Sequence, residues 1–302
     1  MEDNSCVNIQ FFTCITQNKG HILLTFTMKG KILTTEEIRA FQRQIYGYYK
    51  HHGRDFPWRR TTDPYNILVS EIMLQQTQVE RVHDKYLEFI KMFSNFNVLA
   101  EAPQGDVLAM WQGLGYNRRA LALKKLALEI VEVYGGVLPQ DVNKLSSLPG
   151  IGKTTAGAIL AFAFNMPSVF IETNIRRVFI HEFFRKKEDV KDGEIFPLVE
   201  ATMDRENPRE WYWALMDYGS MLKRKTENPN RRSAHYVRQP SFAGSDRQIR
   251  GLIIKKLLDE SNLSVKDLNE SIGINLDHLE RILRGLIHEG FICEENGFYK
   301  IV

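Results

Sequence analysis

Apolar residues recur with a helical period over residues 34–222, and strand patterns are nearly absent from this region. The segment from Thr34 to Glu37 is typical of a capping box and predicts a helix that ends near His51. Further helices are predicted over residues 64–75, 79–92, 97–102, 105–112, 118–134, 142–147, 154–164, 174–184, 194–204 and 208–221. The pattern therefore predicts an all-α domain of two helical lobes with a cleft between them.

Both ends of the chain depart from this pattern. Residues 1–33 show no clear helical period and predict a poorly ordered leader, in which Met1 and Met28 are alternative starts. Residues 223–245 are basic and contain Asn, Pro, Gly and Ser, which predicts a linker or an exposed loop. Residues 246–302 predict three helices and a terminal hairpin around Asn296-Gly297, which together are typical of a winged helix-turn-helix. Such units bind DNA or proteins, and both partners stay open here.

The overall charge is nearly balanced, so any binding of nucleic acid must depend on local basic clusters. The net charge is +3, from 40 Lys and Arg residues against 37 Asp and Glu residues. Basic runs lie at turns and predicted helix ends, namely Arg118-Arg119, Arg176-Arg177, Lys223-Arg224-Lys225 and Arg231-Arg232. A single run is more often a solvated face, but their recurrence at these places favours contacts with phosphates.

Length, cysteine content and hydropathy narrow the class of protein. A chain of 302 residues with 43% hydrophobic content can bury the cores of more than one domain. Its 3 cysteines lie far apart, which excludes a disulfide framework and a cysteine-based metal cage. The apolar runs are too short to span a bilayer, and the early acids Glu2 and Asp3 make a poor signal peptide. These features predict a cytosolic protein without a membrane partner, associated with the nucleoid if it binds DNA.

A glycine-rich turn joins two of the predicted helices. Glycines let the backbone turn tightly and approach a ligand closely, and free N–H groups at the next helix start suit a phosphate oxygen. An ordinary turn is the commoner interpretation of Pro-Gly-x-Gly, but the neighbouring features favour a DNA-binding hairpin. Its candidate residues are Leu148, Gly150, Gly152, Lys153 and Thr154.

A carboxylate and a run of amides form the second candidate feature. Glu71 lies in an apolar helical stretch, where an ionised carboxylate is costly unless it has a partner or a task. A partly exposed glutamate with a packed stem is the commoner case. The residues Gln75, Gln76 and Thr77 follow at the helix end. Their polar groups can replace base-pair hydrogen bonds when a nucleotide leaves the stack.

Several short motifs resemble those of MutY-type adenine DNA glycosylases and occur in the same order. They are Phe56-Pro57-Trp58, Leu74-Gln75-Gln76-Thr77-Gln78-Val79, Trp111-Gln112-Gly113-Leu114-Gly115-Tyr116, Leu148-Pro149-Gly150-Ile151-Gly152 and Met216-Asp217-Tyr218-Gly219. The resemblance covers about residues 41–221 and extends to the helix-hairpin-helix DNA glycosylase superfamily. It implies that Glu71 protonates the adenine and manages the water. It also implies that Gln76 and Tyr116 wedge into the duplex where the base is flipped out.

The chemistry of the residues agrees with this resemblance. Cleavage of an N-glycosidic bond needs an acid that improves the leaving group, and a carboxylate that stabilises positive charge on the sugar. Glu71 is the candidate acid, and its apolar neighbours are expected to raise its pKa. Glu172 is the candidate stabiliser, although a glutamate before a helix is usually a cap or a dipole partner. The superfamily mostly has aspartate at this position, so the carboxylate of Glu172 lies one methylene further out.

The sequence also departs from the resemblance in its cofactor and its chemistry. Relatives of the endonuclease III type carry a lysine nucleophile where this chain has Thr154, so we expect no Schiff-base step. The family's four cluster-binding cysteines are missing from residues 222–238, so we expect no iron–sulfur cluster. Arg231 and Arg232 are expected to contact phosphates there, and a monovalent cation at the hairpin stays open. The C-terminus is too short for the family's domain that recognises 8-oxoguanine.

Three functions follow from these observations. The first is a monomeric, monofunctional glycosylase that removes adenine opposite 8-oxoguanine or guanine in double-stranded DNA. A mismatch thymine or uracil glycosylase on the same fold is the alternative enzyme, although the Gln75–Gln78 run favours adenine. The third is a non-catalytic protein that binds damaged DNA, and the presence of Glu71 argues against it.

Overall fold

The computed structural model describes residues 13–18, 21–26, 33–239 and 241–302. Near the N-terminus, β1 (Thr13–Asn18) and β2 (His21–Phe26) pair as antiparallel strands, with Cys14 opposite Thr25. The other residues of the expected leader, up to residue 32, lie outside the described residues. Among those that are described, no helix is both long enough and apolar enough to cross a bilayer.

Helices form most of the described chain, in agreement with the predicted fold class. The helices before the glycine-rich turn are α1 (Thr35–His52), α2 (Pro64–Leu74), α3 (Val79–Met92), α4 (Phe96–Glu101), α5 (Gln104–Trp111), α6 (Arg118–Tyr134) and α7 (Val142–Ser147). Those after it are α8 (Lys153–Phe164), α9 (Thr173–Phe183), α10 (Asp192–Thr202) and α11 (Pro208–Lys225). The C-terminal elements are α12 (Asp246–Asp259), β3 (Leu263–Ser264), α13 (Val265–Ile272), α14 (Leu276–His288), β4 (Ile292–Glu295) and β5 (Phe298–Ile301).

The contacts divide the chain into two compact units that interleave along the sequence. Among the described residues, the first unit contains those up to Arg54 together with Met166–Tyr236, and the second contains those within Asp55–Asn165 and Val237–Val302. Each unit therefore brings together segments that lie far apart in sequence.

The first unit is a helical layer built around aromatic side chains. Phe41 of α1 makes edge contacts with Phe179, Phe183 and Trp211 at centroid distances of 5.5, 5.1 and 5.8 Å. Helices α9 and α11 cross so closely that a Cβ added to Gly219 would lie 2.5 Å from the Asn174 carbonyl oxygen. The glycine of the Met216–Gly219 motif is therefore required by helix packing.

The second unit packs α2 against α3, α6 and α8. Trp111 is fully buried in it, and Trp58 stacks on Phe56 with ring centroids 5.0 Å apart. The C-terminal segment, residues 246–302, packs its helices with a sheet of strand order β3-β5-β4, in which Ile292 lies opposite Ile301. Strands β4 and β5 are antiparallel and are joined at Asn296-Gly297, where both φ angles are positive (54° and 82°).

Candidate functional site

The glycine-rich turn is anchored by two apolar side chains. Leu148 and Ile151 are 2% and 5% exposed, and the Ile151 N–H donates to the Leu148 carbonyl at 3.1 Å. Gly150 has φ +78°, and a Cβ added there would lie 3.0 Å from the Cβ of Ala122. The local fold therefore needs glycine at Gly150. Because Leu148 is buried, it supports the turn from below and does not project from it.

Gly152 differs from Gly150, because neither its backbone conformation nor its surroundings require a glycine. Its backbone is extended (φ −92°, ψ 172°), and a Cβ added there would meet nothing within 4 Å. Gly152 is the N-cap of α8 without a side-chain cap, the first turn has no acidic residue, and Lys153 and Thr154 are exposed. A helix N-terminus carries partial positive charge, so a lysine there is unfavourable unless an anion binds. This end of α8 therefore suits a phosphate.

Gln75 joins the end of α2 to the glycine-rich turn. Its Nε2 donates to the Gly150 carbonyl at 3.3 Å and to Thr155 Oγ1 at 3.2 Å. The next residue, Gln76, is exposed and has a left-handed backbone with φ 53°. Both glutamines were predicted to face DNA. Gln76 projects from the turn, whereas Gln75 fixes the position of the turn.

Arg119 is a half-buried residue that sequence analysis had placed in a basic surface cluster. The two terminal nitrogens of its guanidinium lie 2.5–3.2 Å from six oxygen acceptors, which share their four N–H groups. These acceptors are the carbonyls of Ile72, Met73, Gln75, Leu114 and Gly115 and the Thr77 hydroxyl. Burial lowers the pKa of Arg119 to about 10, which still leaves it charged at neutral pH. One side chain therefore holds both the Gln75–Thr77 turn and the Leu114–Tyr116 loop.

Tyr116 lies at the tip of the second of these loops and also has a left-handed backbone, with φ 48°. The guanidinium carbons of Arg119 and Arg247 lie 5.6 and 5.7 Å from its ring centroid. Its hydroxyl accepts from Arg247 Nη1 at 2.8 Å and from Gln239 Nε2. Gln76 and Tyr116, the two predicted wedge residues, are thus loop-tip residues whose loops share the Arg119 guanidinium.

Glu71 lies on α2, half-buried, between the buried residues Ser70 and Ile72. The helix that carries it leads directly into the turn held by Arg119, since the carbonyls of Ile72 and Met73 are among its acceptors. The carboxylate is thus set on a rigid element beside the candidate DNA-facing loops. Its role as the acid stays a prediction.

Glu172 belongs to the first unit and is the N-cap of α9. One carboxylate oxygen, Oε1, accepts from the N–H groups of Asn174 and Ile175 at 2.7 and 2.8 Å. Burial raises the pKa of Glu172 above its ordinary value, and these two hydrogen bonds oppose the rise. The side chain thus makes the helix cap that sequence analysis held as the commoner role, and its catalytic role stays a prediction.

The basic residues after α11 differ from one another. Arg231 is exposed and pairs with Glu227 at 3.0 Å. Arg232 donates to the carbonyls of Phe184 and, at 3.4 Å, Ile180, at the C-terminal end of α9. We expected both arginines to contact phosphate, but the guanidinium of Arg232 caps a helix instead. The reason is that the carbonyl oxygens at a helix C-terminus carry partial negative charge, which attracts a cation.

The segment that follows α11 does not offer the ligands of an iron–sulfur cluster. Residues 222–238 contain no cysteine, and thiolates are the usual cluster ligands. In the described part of the chain, no group of three or more His, Cys, Asp or Glu residues is placed to hold a metal ion. Here polar side chains bind the chain itself, as when Asn230 Nδ2 donates to the Thr173 carbonyl at 2.9 Å. The donor set of this segment does not fit such a cluster.

Comparisons with known proteins agree with this geometry. Residues 69–196 match the family described as HhH-GPD superfamily base excision DNA repair protein. An adenine DNA glycosylase of Buchnera aphidicola subsp. Baizongia pistaciae is 38% identical over 63% of this chain and 54% of the relative. One of Mycolicibacterium smegmatis is 33% identical over 72% of this chain and 80% of the relative. A thymine/uracil-DNA glycosylase of Methanothermobacter thermautotrophicus is 29% identical over 63% of this chain and 87% of the relative.

Solved structures show the same fold. A thermostable thymine-DNA glycosylase superposes with a TM-score of 0.57 at 26% identity, over 64% of this chain and 91% of that chain. A trapped endonuclease III–DNA covalent intermediate superposes with a TM-score of 0.54 at 18% identity, over 63% and 87% of the two chains. The second likeness concerns the fold alone.

Two helices joined by a glycine turn, with an open helix N-terminus behind it, define a helix-hairpin-helix protein. The chain belongs to the HhH-GPD superfamily of base excision DNA repair proteins. It spans about half the length of the Buchnera relative, 54%, and more of the mycobacterial one, 80%.

Proposed function

We propose that the protein is a monofunctional DNA glycosylase that hydrolyses the N-glycosidic bond of adenine mispaired with 8-oxoguanine or guanine. The observation that carries this proposal is the connection of three segments in one unit. Gln75 joins the end of the helix that bears Glu71 to the glycine turn, and Arg119 joins it to the Tyr116 loop. The adenine DNA glycosylases among the relatives support adenine as the base.

The reaction assigns different tasks to the two carboxyl groups. Glu71 gives a proton to the adenine, the bond between sugar and base breaks, and its electron pair leaves with the base. The sugar then carries positive charge, which an ionised Glu172 would stabilise until water adds to the anomeric carbon. The water loses a proton as it adds, and the Glu71 carboxylate left by the first step would accept it. Glu71 must be protonated for the first step and Glu172 ionised for the second.

The glycine turn and the two loop tips would hold the DNA. Backbone N–H groups at Gly152 and the following residues would bind a phosphate, with Lys153 adding charge. Gln76 and Tyr116 would enter the space that the flipped adenine leaves. We expect a monomer without an iron–sulfur cluster, and a monovalent cation at the glycine turn stays an alternative ligand.

The absence of a lyase step follows from the residue at the start of α8. A Schiff base needs a lysine amine that attacks the sugar, and this chain has Thr154 at the position that bears it in endonuclease III-type relatives. Lys153 is exposed one position earlier. We therefore expect hydrolysis to an intact abasic strand.

Removal of mismatched thymine or uracil is the second candidate function. The thymine/uracil relative aligns over 87% of its own length and 63% of this chain. The thymine-DNA glycosylase has the larger TM-score of the two structures above. The Gln75-Gln76-Thr77-Gln78 run favours adenine, because mismatch pyrimidine relatives usually depart from it.

A panel of duplexes tests the proposal. Each duplex carries one pair (A·8-oxoguanine, A·G, T·G or U·G), and abasic sites are scored after alkali treatment. We expect release of adenine only, and Glu71→Gln should slow single-turnover release by at least about 10²-fold while DNA binding persists. Glu88→Gln is the matched control, since Glu88 is exposed in the same unit. Release of thymine or uracil would establish the second function, and wild-type rates for Glu71→Gln would exclude Glu71 as the acid.

A further inference from the structure

Tyr116 is contacted by two different parts of the chain. Arg119 lies 5.6 Å from the ring centroid and also fixes the loop backbone through the Gly115 carbonyl at 3.0 Å. Arg247 and Gln239 donate to the hydroxyl, and the Arg247 guanidinium carbon lies 5.7 Å from the ring centroid. Both of these latter residues come from the C-terminal part of the chain.

The C-terminal segment is fastened to the same unit through independent contacts. Arg118, at the start of α6, makes two hydrogen bonds to the Glu289 carboxylate at 2.6 and 2.7 Å. Arg250 reaches the same carboxylate at 2.6 Å, and Gln104 donates to the Gly290 carbonyl at 2.9 Å. Arg247 therefore approaches Tyr116 from a docked element and not from a free tail.

The backbone of Tyr116 makes these contacts necessary. Its φ of 48° lies in the left-handed region, which a residue with a Cβ rarely adopts unless the surroundings enforce it. The ring is only half-buried, so core packing does not enforce its position. Two guanidinium groups and an amide instead fix a side chain that contributes little to the core.

We propose that Arg247 and Gln239 are positioning residues, through which the C-terminal segment sets the Tyr116 ring before DNA arrives. This inference rests on the proposed function, in which Tyr116 enters the duplex. A wedge that is already ordered pays less conformational entropy on binding than one that orders in the complex. The C-terminal segment thereby becomes part of the base-excision site, although it supplies none of the reacting groups.

A measurement without DNA tests the positioning itself. The protein, with its 11 tyrosines replaced by 3-fluorotyrosine, gives a ¹⁹F spectrum in which Tyr116→Phe identifies the Tyr116 signal by its loss. Arg247→Gln should shift and broaden this signal. Arg284→Gln should leave it unchanged, since that exposed arginine pairs with Glu280 on its own helix at 3.4 Å. An unchanged Tyr116 signal in Arg247→Gln would overturn the proposal.

A double-mutant cycle on DNA tests the consequence. The duplex carries 2-aminopurine beside an A·8-oxoguanine pair, so that its fluorescence reports unstacking. Tyr116→Phe and Arg247→Gln should each weaken binding and unstacking by about tenfold, and the double variant by no more than either alone. Arg247→Lys should recover part of the loss, because lysine donates to the hydroxyl without the planar stacking of arginine.

The outcomes separate this inference from the function on which it rests. Additive losses in the double variant, or tighter binding by Arg247→Gln, would overturn the positioning role while base release by the wild type continues. If the wild type releases no base from any duplex, the proposed function fails. The ¹⁹F result would then still report whether Arg247 holds Tyr116.

Discussion

In three pairs of adjacent arginines, the two side chains bind different partners, one a carboxylate and the other the backbone. In the pairs that begin at Arg118, Arg176 and Arg231, the first side chain forms an ion pair with a carboxylate. In each pair the second side chain donates to backbone carbonyls. The sequence showed basic clusters but not this division, because a guanidinium has five donors that suit either phosphates or the unpaired carbonyls of helix ends.

The first pair offers a matched comparison of neighbouring residues of the same type. Arg119→Ala should lower the free energy of unfolding by about 3 kcal/mol, because it removes the half-buried charged donor whose hydrogen bonds join two loops. Arg118→Ala should cost about 1 kcal/mol or less, since the Arg118 side chain is 74% exposed in its ion pair with Glu289. Urea unfolding of both variants measures the difference. Equal losses would mean that Arg119 is not the residue that holds the loops.

The carboxyl group of Glu172 predicts a dependence of stability on pH. Its pKa is raised by burial, so between the unfolded and folded pKa values the folded state binds more protons than the unfolded state. The stability that this group contributes is present below the unfolded pKa and is lost as the pH rises. Glu172→Gln should therefore gain stability relative to the wild type as the pH rises above about 4.3.

Thermal unfolding at pH 4.5 and pH 7.5 tests this sign, with the exposed Glu188→Gln as the control. If Glu172→Gln becomes less stable relative to the wild type as the pH rises, the hydrogen bonds made by the ionised helix cap outweigh the cost of burying the carboxylate. A variant that is more stable but inactive would mark Glu172 as a group retained for chemistry.

At the scale of elements, sequence alone found each part of the site but not the links between them. The glycine turn and the run of glutamines were recognisable because turn chemistry and helix periods are local signals. The hydrogen bond from Gln75 to Gly150 joins residues 75 positions apart, which no local pattern reports. We expected Gln75 to face DNA, whereas its amide is used to brace the turn.

The two glycines of the turn should separate folding from binding. Gly150→Ala should cost about 1 kcal/mol or more, because φ is +78° and the added methyl would lie against Ala122. Gly152→Val should leave stability within about 0.5 kcal/mol of the wild type, because its backbone is extended and the space is open. The valine should nevertheless weaken binding of all duplexes alike, since it blocks the approach of a phosphate.

Urea unfolding and fluorescence anisotropy with matched and mismatched duplexes measure these two effects. Unchanged affinity in Gly152→Val would reduce the turn to a purely structural element. A loss confined to the mismatched duplex would instead place Gly152 beside the flipped base.

At the scale of the whole molecule, chain order and spatial order differ. Sequence analysis divided the chain at residues 222 and 245, where composition changes. In the structure, α11 continues to Lys225, and residues 237–302 belong with residues 55–165. Composition reports where a segment is polar, but not which distant residues it contacts, such as those that join Glu289 to Arg118.

The near balance of charge makes the salt dependence of binding informative. Lys223 and Arg224 are exposed at the end of α11, and their reversal to Glu should lower the slope of log affinity against log salt by up to about 2. Reversal of the exposed Lys255 and Lys266 in the C-terminal segment should leave the slope unchanged. Arginines of that segment are already paired, as Arg281 is with Asp246 at 2.9 Å. A lower slope in the second variant would show that the C-terminal segment binds DNA, and an unchanged slope favours a protein partner.

The Arg119 guanidinium donates hydrogen bonds to carbonyl oxygens, which every amino acid has, and to only one side chain, the hydroxyl of Thr77. The hydrogen bonds that shape the Gln75–Thr77 turn therefore do not depend on the identity of Gln76. Tyr116 differs, because its ring and hydroxyl are themselves contacted by arginines. A library varied at position 76 on an unchanged Arg119 and Tyr116 is thus a rational starting point for altering which base pair the scaffold opens.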